Sequence, residues 1–592
     1  MKKKLLLFGF ALTAMLTLSA CEFSFPYFGS KSDPYSYKTE PPTSSDVEPS
    51  SNESSSSSEE SVSTSETTST SSMSGASSTN SSSSASSIPS ASSTSSSSSQ
   101  PVAPEITAKT ASITYKDRAL KDNTISYTPS VGEANILVIP VWFSDSDSYV
   151  ANANKDKVRE DIQKAYFGTD SETGWKSVKS YYEEESHGAL TLVGTVSSWY
   201  ECGKRSRDYG TDDDYTTKTR TLVKNATNWY FTQNPSVSRR SFDKDGDGYL
   251  DGVMLIYAAP DSQVGNQNYE NLWAYCYWVQ ETNQQSNSNP GVNAFFWASY
   301  DFMYGSNTVG SRTGYSRYYN GDTRHCSIDS HTFIHEMGHM YGLDDYYDYS
   351  RQYNPAGGFS MQDCNVAGHD PFSSFALGWG KAYIPTESMT INLKPFATSG
   401  EMILLTPSFN SYNSPFDEYL LLEYYTPTGL NTFDTTYQYS NSYPKGSQEI
   451  GIRLWHVDAR LFYYNNESNP NPSSVTFTYT PNVRNHYTYH AISNTYYNSH
   501  DDSASAYLSP LGSSYYNFNI LQLIRNNIAV SVKPTDDFTT SSMFRMGSSF
   551  NMNTYKSQFV NSSRLNKNVD LGFSFSVVNT VAEYATITIT KL

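Results

Sequence analysis

The sequence predicts an α+β protein, with a mixed helix-and-strand region over residues 105–388 and an all-β region over 389–592. Three observations carry this reading. Continuous β-branched runs, "NILVIPVWFSD" at 135–145 and "DGVMLIYAA" at 251–259, are what strands buried on both faces look like. Stretches with apolar residues every three or four positions lie around them, as a helix with one buried face requires. Beyond residue 388 helix signals become scarce, and short alternating or β-branched runs separated by turn residues take over. At 592 residues the chain is too long for one core, so two or more domains are expected.

In chain order, Lys2, Lys3 and Lys4 precede the apolar run "LLLFGFALTAMLTL", which is short for a membrane span and laid out like an export signal. It ends in "LSAC", Leu18 to Cys21. That ending resembles the lipobox of bacterial lipoproteins, in which Cys21 becomes the lipidated first residue. The plainer alternative is an export signal with an incidental cysteine. On the lipobox reading residues 1–21 are a lipoprotein signal peptide, and lipid holds the chain on the extracellular face of a bacterial membrane. Residues 22–104 then form a disordered tether. Most of 43–100 is Ser and Thr without Lys or Arg, a composition unable to bury a core. A coil of about 60 residues spans roughly 40–45 Å.

Within the folded part, residues 155–166 have helical spacing. The stretch "WKSVKSYYEEESHGALTLVGTVSSWY" reads as a helix ending near Gly188 and then a strand, and 331–342 reads as a helix. After residue 388 the strand candidates are "MTINL", "EMILLTP", "EYLLLEYY", "IGIRLWHVD", "NILQLIR", "AVSVKP", "GFSFSVV" and "ATITITKL". Their number and spacing predict a sandwich, jelly-roll-like in kind. The net charge of −18 argues against a nucleic-acid partner and serves solubility. Cys202, Cys276, Cys326 and Cys364 remain after Cys21. An exported chain permits disulfides, and Cys326 with Cys364 is the pair expected, since they flank the segment discussed next.

That segment is "HTFIHEMGHMYGLDDYYDY", residues 331–349. On a helix, His335 and His339 lie one turn apart on one face, as two imidazoles sharing a Zn²⁺ must. Glu336 then points to the side of the ion, where it can take a proton from water rather than ligate. Gly342 permits the sharp reversal that ends a helix. In the metzincin pattern the third ligand comes three residues after that glycine, which here is Asp345, with Asp344 as a competitor. The pattern also calls for a methionine loop beneath the ion, and "GGFSMQDCN" at 357–365 offers Met361. Residues 105–388 are therefore expected to form a zincin/metzincin-like catalytic domain with a mixed sheet and an active-site helix.

"HEMGHMYGLDDYYD", His335 to Asp348, resembles the secreted immune inhibitor A peptidases, metallopeptidase family six, whose pattern is H-E-x-G-H-x-x-G-L-x-D-x-Y-D. The segments "AYFG", "SVKSYYEEESHGAL", "DKDGDGYLDGVMLIY", "LWAY" and "YLLLEYY…GIRLWHVD" are similar to the family too, so the likeness covers roughly 130–460. One departure is Asp344, where the family commonly has Pro. The resemblance implies a zinc endopeptidase acting on protein or peptide substrates, followed by a β-sandwich. It gives Tyr347 a matching place, where its hydroxyl would donate to a developing oxyanion; packing is the other reading of that tyrosine.

"DKDGDGYLDG", 243–252, sets Asp243, Asp245, Asp247 and Asp251 at EF-hand spacing, but position twelve is Met254 and a strand follows. It reads either as a structural Ca²⁺ site completed by other groups or as an acidic turn that binds nothing. His369 lines the cleft or lies on the surface. His331 is expected to be exposed or just outside the ligands, and His187 and His456 to be structural. The expected whole is a monomeric, lipid-anchored, surface zinc endopeptidase with Glu336 as general base. The alternatives are a catalytically silent adhesin binding host protein or glycan through its β-rich region, and a metal hydrolase acting on non-peptide bonds.

Overall fold

The computed structural model describes residues 105–106, 126–150, 152–210, 215–260, 272, 274–304, 318–319, 323–324, 326–348, 352–437, 439, 443–465, 475–478, 490–494 and 517–592. The signal, the lipobox with Cys21 and the tether lie outside the described residues. Helices and sheets are mixed, an α+β arrangement. Among the described residues no helix is long and apolar enough to cross a membrane.

The longest strand of the first sheet is Gly132–Trp142. In spatial order it runs Leu190–Val196, Gly132–Trp142, Val253–Tyr257, Ala294–Ser299 and Tyr275–Trp278. The first four strands are parallel, and the last, Tyr275–Trp278, is an antiparallel edge. The β-branched run at 136–141 is buried on both sides because successive side chains enter different cores. Ile136 and Val138 face one core, while Leu137, Ile139 and Val141 face the other. Pro140 is tolerated here because pairing on one side stops at Val138 and resumes at Val141 with the short strand Tyr200–Glu201.

Helices cover both faces. Lys155–Phe167 buries Val158, Ile162, Ala165 and Tyr166, a spacing that places them on one stripe. Val178–Glu185 and His331–Met340 pack in the same core. Tyr215–Gln233 covers the opposite face through Leu222, Val223, Ala226 and Tyr230. The helix His331–Met340 lies against the strands Ala294–Ser299 and Tyr275–Trp278, so it runs beside the antiparallel edge.

Farther along are a six-stranded and a four-stranded sheet. The six-stranded sheet orders Glu105–Ile106, Lys381–Tyr383, Glu401–Leu405, Glu418–Tyr425, Gly451–Asp458 and Leu521–Ile524. The four-stranded sheet orders Met389–Leu393, Tyr584–Lys591, Phe573–Val581 and Ser549–Phe550. "EYLLLEYY" is buried throughout because its sheet is covered on both faces. Tyr419 and Leu421 join the core that holds the helix His331–Met340, while Leu420 and Leu422 pack with Phe550, Phe575 and Ile587 of the four-stranded sheet.

Two expectations fail here. Residues 529–534, "AVSVKP", form turns rather than a strand. Their polar groups are taken up by Asn519, which reaches the Val532 carbonyl and the Lys533 ammonium. The disulfide expected between Cys326 and Cys364 is not formed among the described residues. Cys326 is buried in the core, whereas Cys364 sits half-buried on a separate loop.

Candidate metal centre

The helix His331–Met340 starts where the Asp329 carboxylate accepts the His331 amide. It ends in a reversal at Gly342, whose φ of 95° suits a residue without Cβ. There the Leu343 amide bonds the Gly338 carbonyl at 3.1 Å, five residues back, closing the last turn. The reversal returns the chain across the helix face and sets Asp345 opposite the two imidazoles.

His335 Nε2 lies 3.1 Å and His339 Nε2 3.4 Å from Asp345 Oδ1. The two rings are 5.0 Å apart and nearly perpendicular. One ligand atom from each of the three residues falls within 4.8 Å of the others. The remaining ring nitrogens are also fixed: His335 Nδ1 lies 2.7 Å from the Met361 carbonyl, and His339 Nδ1 lies 2.8 Å from the Leu343 carbonyl. A carbonyl only accepts, so each Nδ1 must carry the proton. In a neutral ring that leaves the Nε2 lone pair facing the Asp345 carboxylate, two acceptors against each other in a buried site. A cation between them resolves the conflict, and the donor set of two imidazoles and one carboxylate suits zinc.

Without a metal, a proton takes that place. Burial opposes charge on the His339 ring, but the Asp345 carboxylate outweighs it and raises the imidazole's pKa to about 9. Burial likewise pushes against ionisation of Asp345, yet the His339 and His335 imidazoles hold its carboxyl well below the usual range.

Glu336 is fully buried, and neither carboxylate oxygen has a hydrogen-bond partner among the described residues. The backbone amide of Cys276, on the antiparallel edge strand, approaches it outside full hydrogen-bond geometry. Burial lifts its pKa to about 7, against the pull of the His339 and His335 imidazoles. An orphaned buried carboxylate is costly in a structure unless water, substrate or a metal complex uses it.

The loop of Met361 lies against this helix. A Cβ at Gly338 would come 2.2 Å from Gln362 Oε1, so glycine is what lets the loop approach. Met361 is buried, and its carbonyl orients His335. Asp344 stays half-buried beside the ligand loop and is not in the convergent group. Tyr347 is buried two residues past Asp345.

Other sequence candidates fall elsewhere. Asp243, Asp245 and Asp247 bring oxygens within 4.8 Å of one another, but Asp251 is not with them. Its carboxylate turns inward to accept the Asn135 amide at 2.6 Å and the Lys244 amide at 2.8 Å, so it ties the loop to the strand Gly132–Trp142. His331 is not exposed. It is buried beside Tyr439, with Nε2 2.8 Å from the Asn365 carbonyl. His456 is structural, meeting Glu418 at 2.9 Å within the six-stranded sheet. His187 is exposed, with its ring packed under Gly400.

His369 does not lie on the surface. It sits among Tyr181, Tyr182 and Trp379, with neither ring nitrogen partnered among the described residues. Burial, with the nearby His335 and His339 imidazoles, drives its pKa down to about 3. Sequence spacing left His369 ambiguous, because its burial is set by aromatic residues far along the chain. Gln362 was missed altogether; the adjacent Met361 and the glycine at 338 were the available signals.

Comparison with known proteins agrees with this geometry. Residues 122–368 match the family described as immune inhibitor A peptidase M6, catalytic domain. The pre-pro-metalloprotease PrtV of Vibrio cholerae serotype O1, in strains M66-2 and ATCC 39315 / El Tor Inaba N16961, is 24% identical over 278 residues, 42% of this chain and 28% of the relative. Immune inhibitor A of Bacillus thuringiensis subsp. alesti is 28% identical over 170 residues, 24% of each chain. The chain thus spans about a quarter of the length of the curated relatives it matches. Over residues 122–368 the chain is similar to the catalytic domain of the immune inhibitor A peptidase M6 family.

Proposed function

We propose that this chain is a zinc-dependent endopeptidase of the zincin/metzincin type that hydrolyses peptide bonds in extracellular proteins. The observation that carries the reading is the buried pair of Nε2 lone pairs facing the Asp345 carboxylate, with the orphaned Glu336 carboxylate on the next helix position. His335, His339 and Asp345 would hold the ion. A zinc ion there supplies a Lewis acid that polarises the peptide carbonyl and acidifies water. Glu336 would take the proton from the attacking water and deliver it to the departing amine, a role its buried position beside the two imidazoles suits. Tyr347 is assigned the oxyanion donor's role by its place after Asp345. Asp243, Asp245 and Asp247 are assigned to a structural Ca²⁺, and the β-rich half is read as a sandwich. Cys21, if lipidated, would hold the enzyme at the cell surface, where extracellular proteins or peptides would be its substrates.

The test is cleavage of a peptide library by the full chain, with products mapped by mass spectrometry, alongside chelator-treated protein and Glu336→Gln. Cleavage should require zinc, and the Gln variant should lose at least about 100-fold while still binding metal. Equal activity in wild type and Glu336→Gln would refute the assignment.

A further inference from the structure

The residues that hold Asp345 in place come from both halves of the chain. Tyr346, its neighbour, is pinned at three points. Its amide donates to the Gln362 carbonyl at 2.7 Å, and its hydroxyl lies 2.9 Å from Ser373 Oγ. Its carbonyl accepts from Asn494 Nδ2 at 2.7 Å. The same Nδ2 donates to the Leu521 carbonyl at 2.8 Å, and Asn494 Oδ1 accepts the Leu521 amide at 3.2 Å. Asn494 is fully buried, and Leu521 opens the edge strand Leu521–Ile524 of the six-stranded sheet. One side chain therefore clamps the ligand loop to the sheet with every hydrogen-bonding atom engaged except one amide lone pair.

The segment that leads into the Met361 loop is held by the same strand and the residue after it. The Leu523 amide donates to the Pro355 carbonyl at 2.9 Å, and Arg525 donates to the Asn354 carbonyl at 2.9 Å. This loop supplies the carbonyl that orients His335. Both loops that complete the centre thus share one support.

From this geometry we infer that Asn494 is a positioning residue for the metal centre, and that the edge strand Leu521–Ile524 is part of that centre's scaffold. The inference rests on the metal reading above. Removing the Nδ2 donor leaves the Tyr346 carbonyl buried without its partner, and frees Asp345 to leave the arc facing the two imidazoles. Partners of this kind, one step behind the ligands, typically govern affinity about 10–100-fold.

The experiment measures zinc affinity of the full-length chain by competition with a chromophoric chelator, and the visible spectrum after loading with cobalt. Asn494→Leu keeps size and removes the donors. Asn494→Ser keeps one donor and serves if the leucine variant does not fold. Ile587→Val, in the core between the two β-rich sheets, controls for loss of stability alone. The expected result is zinc Kd weakened about 10–100-fold by Asn494→Leu, less by Asn494→Ser, with an altered cobalt spectrum. Ile587→Val should leave both unchanged. Affinity within about twofold of wild type for the Asn494 variants would overturn the inference while leaving the metal reading intact. Failure of the unaltered chain to bind zinc would overturn both.

Discussion

Gly338→Ala separates a local rule from the long-range contact that overrides it. In a helix interior, alanine is favoured over glycine by about 1 kcal/mol. Here the added Cβ would stand 2.2 Å from Oε1 and 2.7 Å from Cδ of Gln362. Gln362 is fully buried, and its Nε2 already lies 3.4 Å from His339 Nδ1. Its amide therefore cannot swing aside without moving a ligand or its own backbone. Overpacking of this size costs about 1–3 kcal/mol, so the net change should be a loss of about 1 kcal/mol instead of a gain. Gln362 follows Met361, so the displacement also tilts the carbonyl that orients His335, and zinc affinity should fall about tenfold. Urea unfolding of the metal-free protein and chelator competition read the two effects separately. A variant more stable by the helix-propensity amount, with unchanged zinc affinity, would refute the packing argument.

His369→Phe fills the same aromatic box while removing two unpartnered buried nitrogens. Unfolding should show stability unchanged or raised by up to about 2 kcal/mol, and a loss above that amount would mean the ring makes bonds essential to the fold. Lys533, buried and donating to Asn519 at 2.7 Å, has its pKa lowered to about 8 by burial. Between that value and the ordinary pKa of about 10.4, the unfolded chain binds a proton that the folded chain does not. Stability from this group should therefore be lowest at and below pH 8 and recover as pH rises toward about 10.4, by up to roughly 3 kcal/mol. Lys533→Met should remove that slope in unfolding measurements compared across the same pH window, and identical slopes would contradict it. Asp251→Asn keeps one acceptor for two backbone amides and should cost about 1–3 kcal/mol, read as a shift of the unfolding midpoint; no shift would show the amides are satisfied otherwise.

Where information is local, the sequence spoke clearly. The strands at 132–142, 253–257, 418–425 and 451–458 fall where β-branched runs predicted them, because burial on both faces favours apolar residues in succession, and 389–393 falls where alternation predicted it, with Thr390 and Asn392 exposed between buried Met389 and Leu393. The helix Tyr215–Gln233 went unread, since Thr and Asn dilute its signal: buried Thr219 and Thr227 share its inner face with the apolar Leu222, Val223, Ala226 and Tyr230. "AVSVKP" looked like a strand because alternation counts residues and does not know whether a partner strand is there. The cysteines could not be paired from spacing, for pairing depends on Cα separation in the fold.

The candidate site divides along the same line. His335, Glu336, His339, Gly342 and Asp345 lie within one helix and its reversal, and these two local features bring the His335, His339 and Asp345 atoms within reach of one another. What sequence could not give is the support from afar: Gln362 against Gly338, Asn494 under Tyr346, and the aromatic box around His369. Each joins segments whose encounter depends on the whole fold. The six-stranded sheet explains why such support is needed. Its alternate residues enter two cores, so Tyr419 and Leu421 belong to the same interior as the helix that bears the two histidines. A buried cluster of facing acceptors is costly to hold together. The sheet reaches the Asp345 loop through Asn494 under Tyr346, and a proton or a metal ion between Asp345 and the two rings relieves the clash of acceptors.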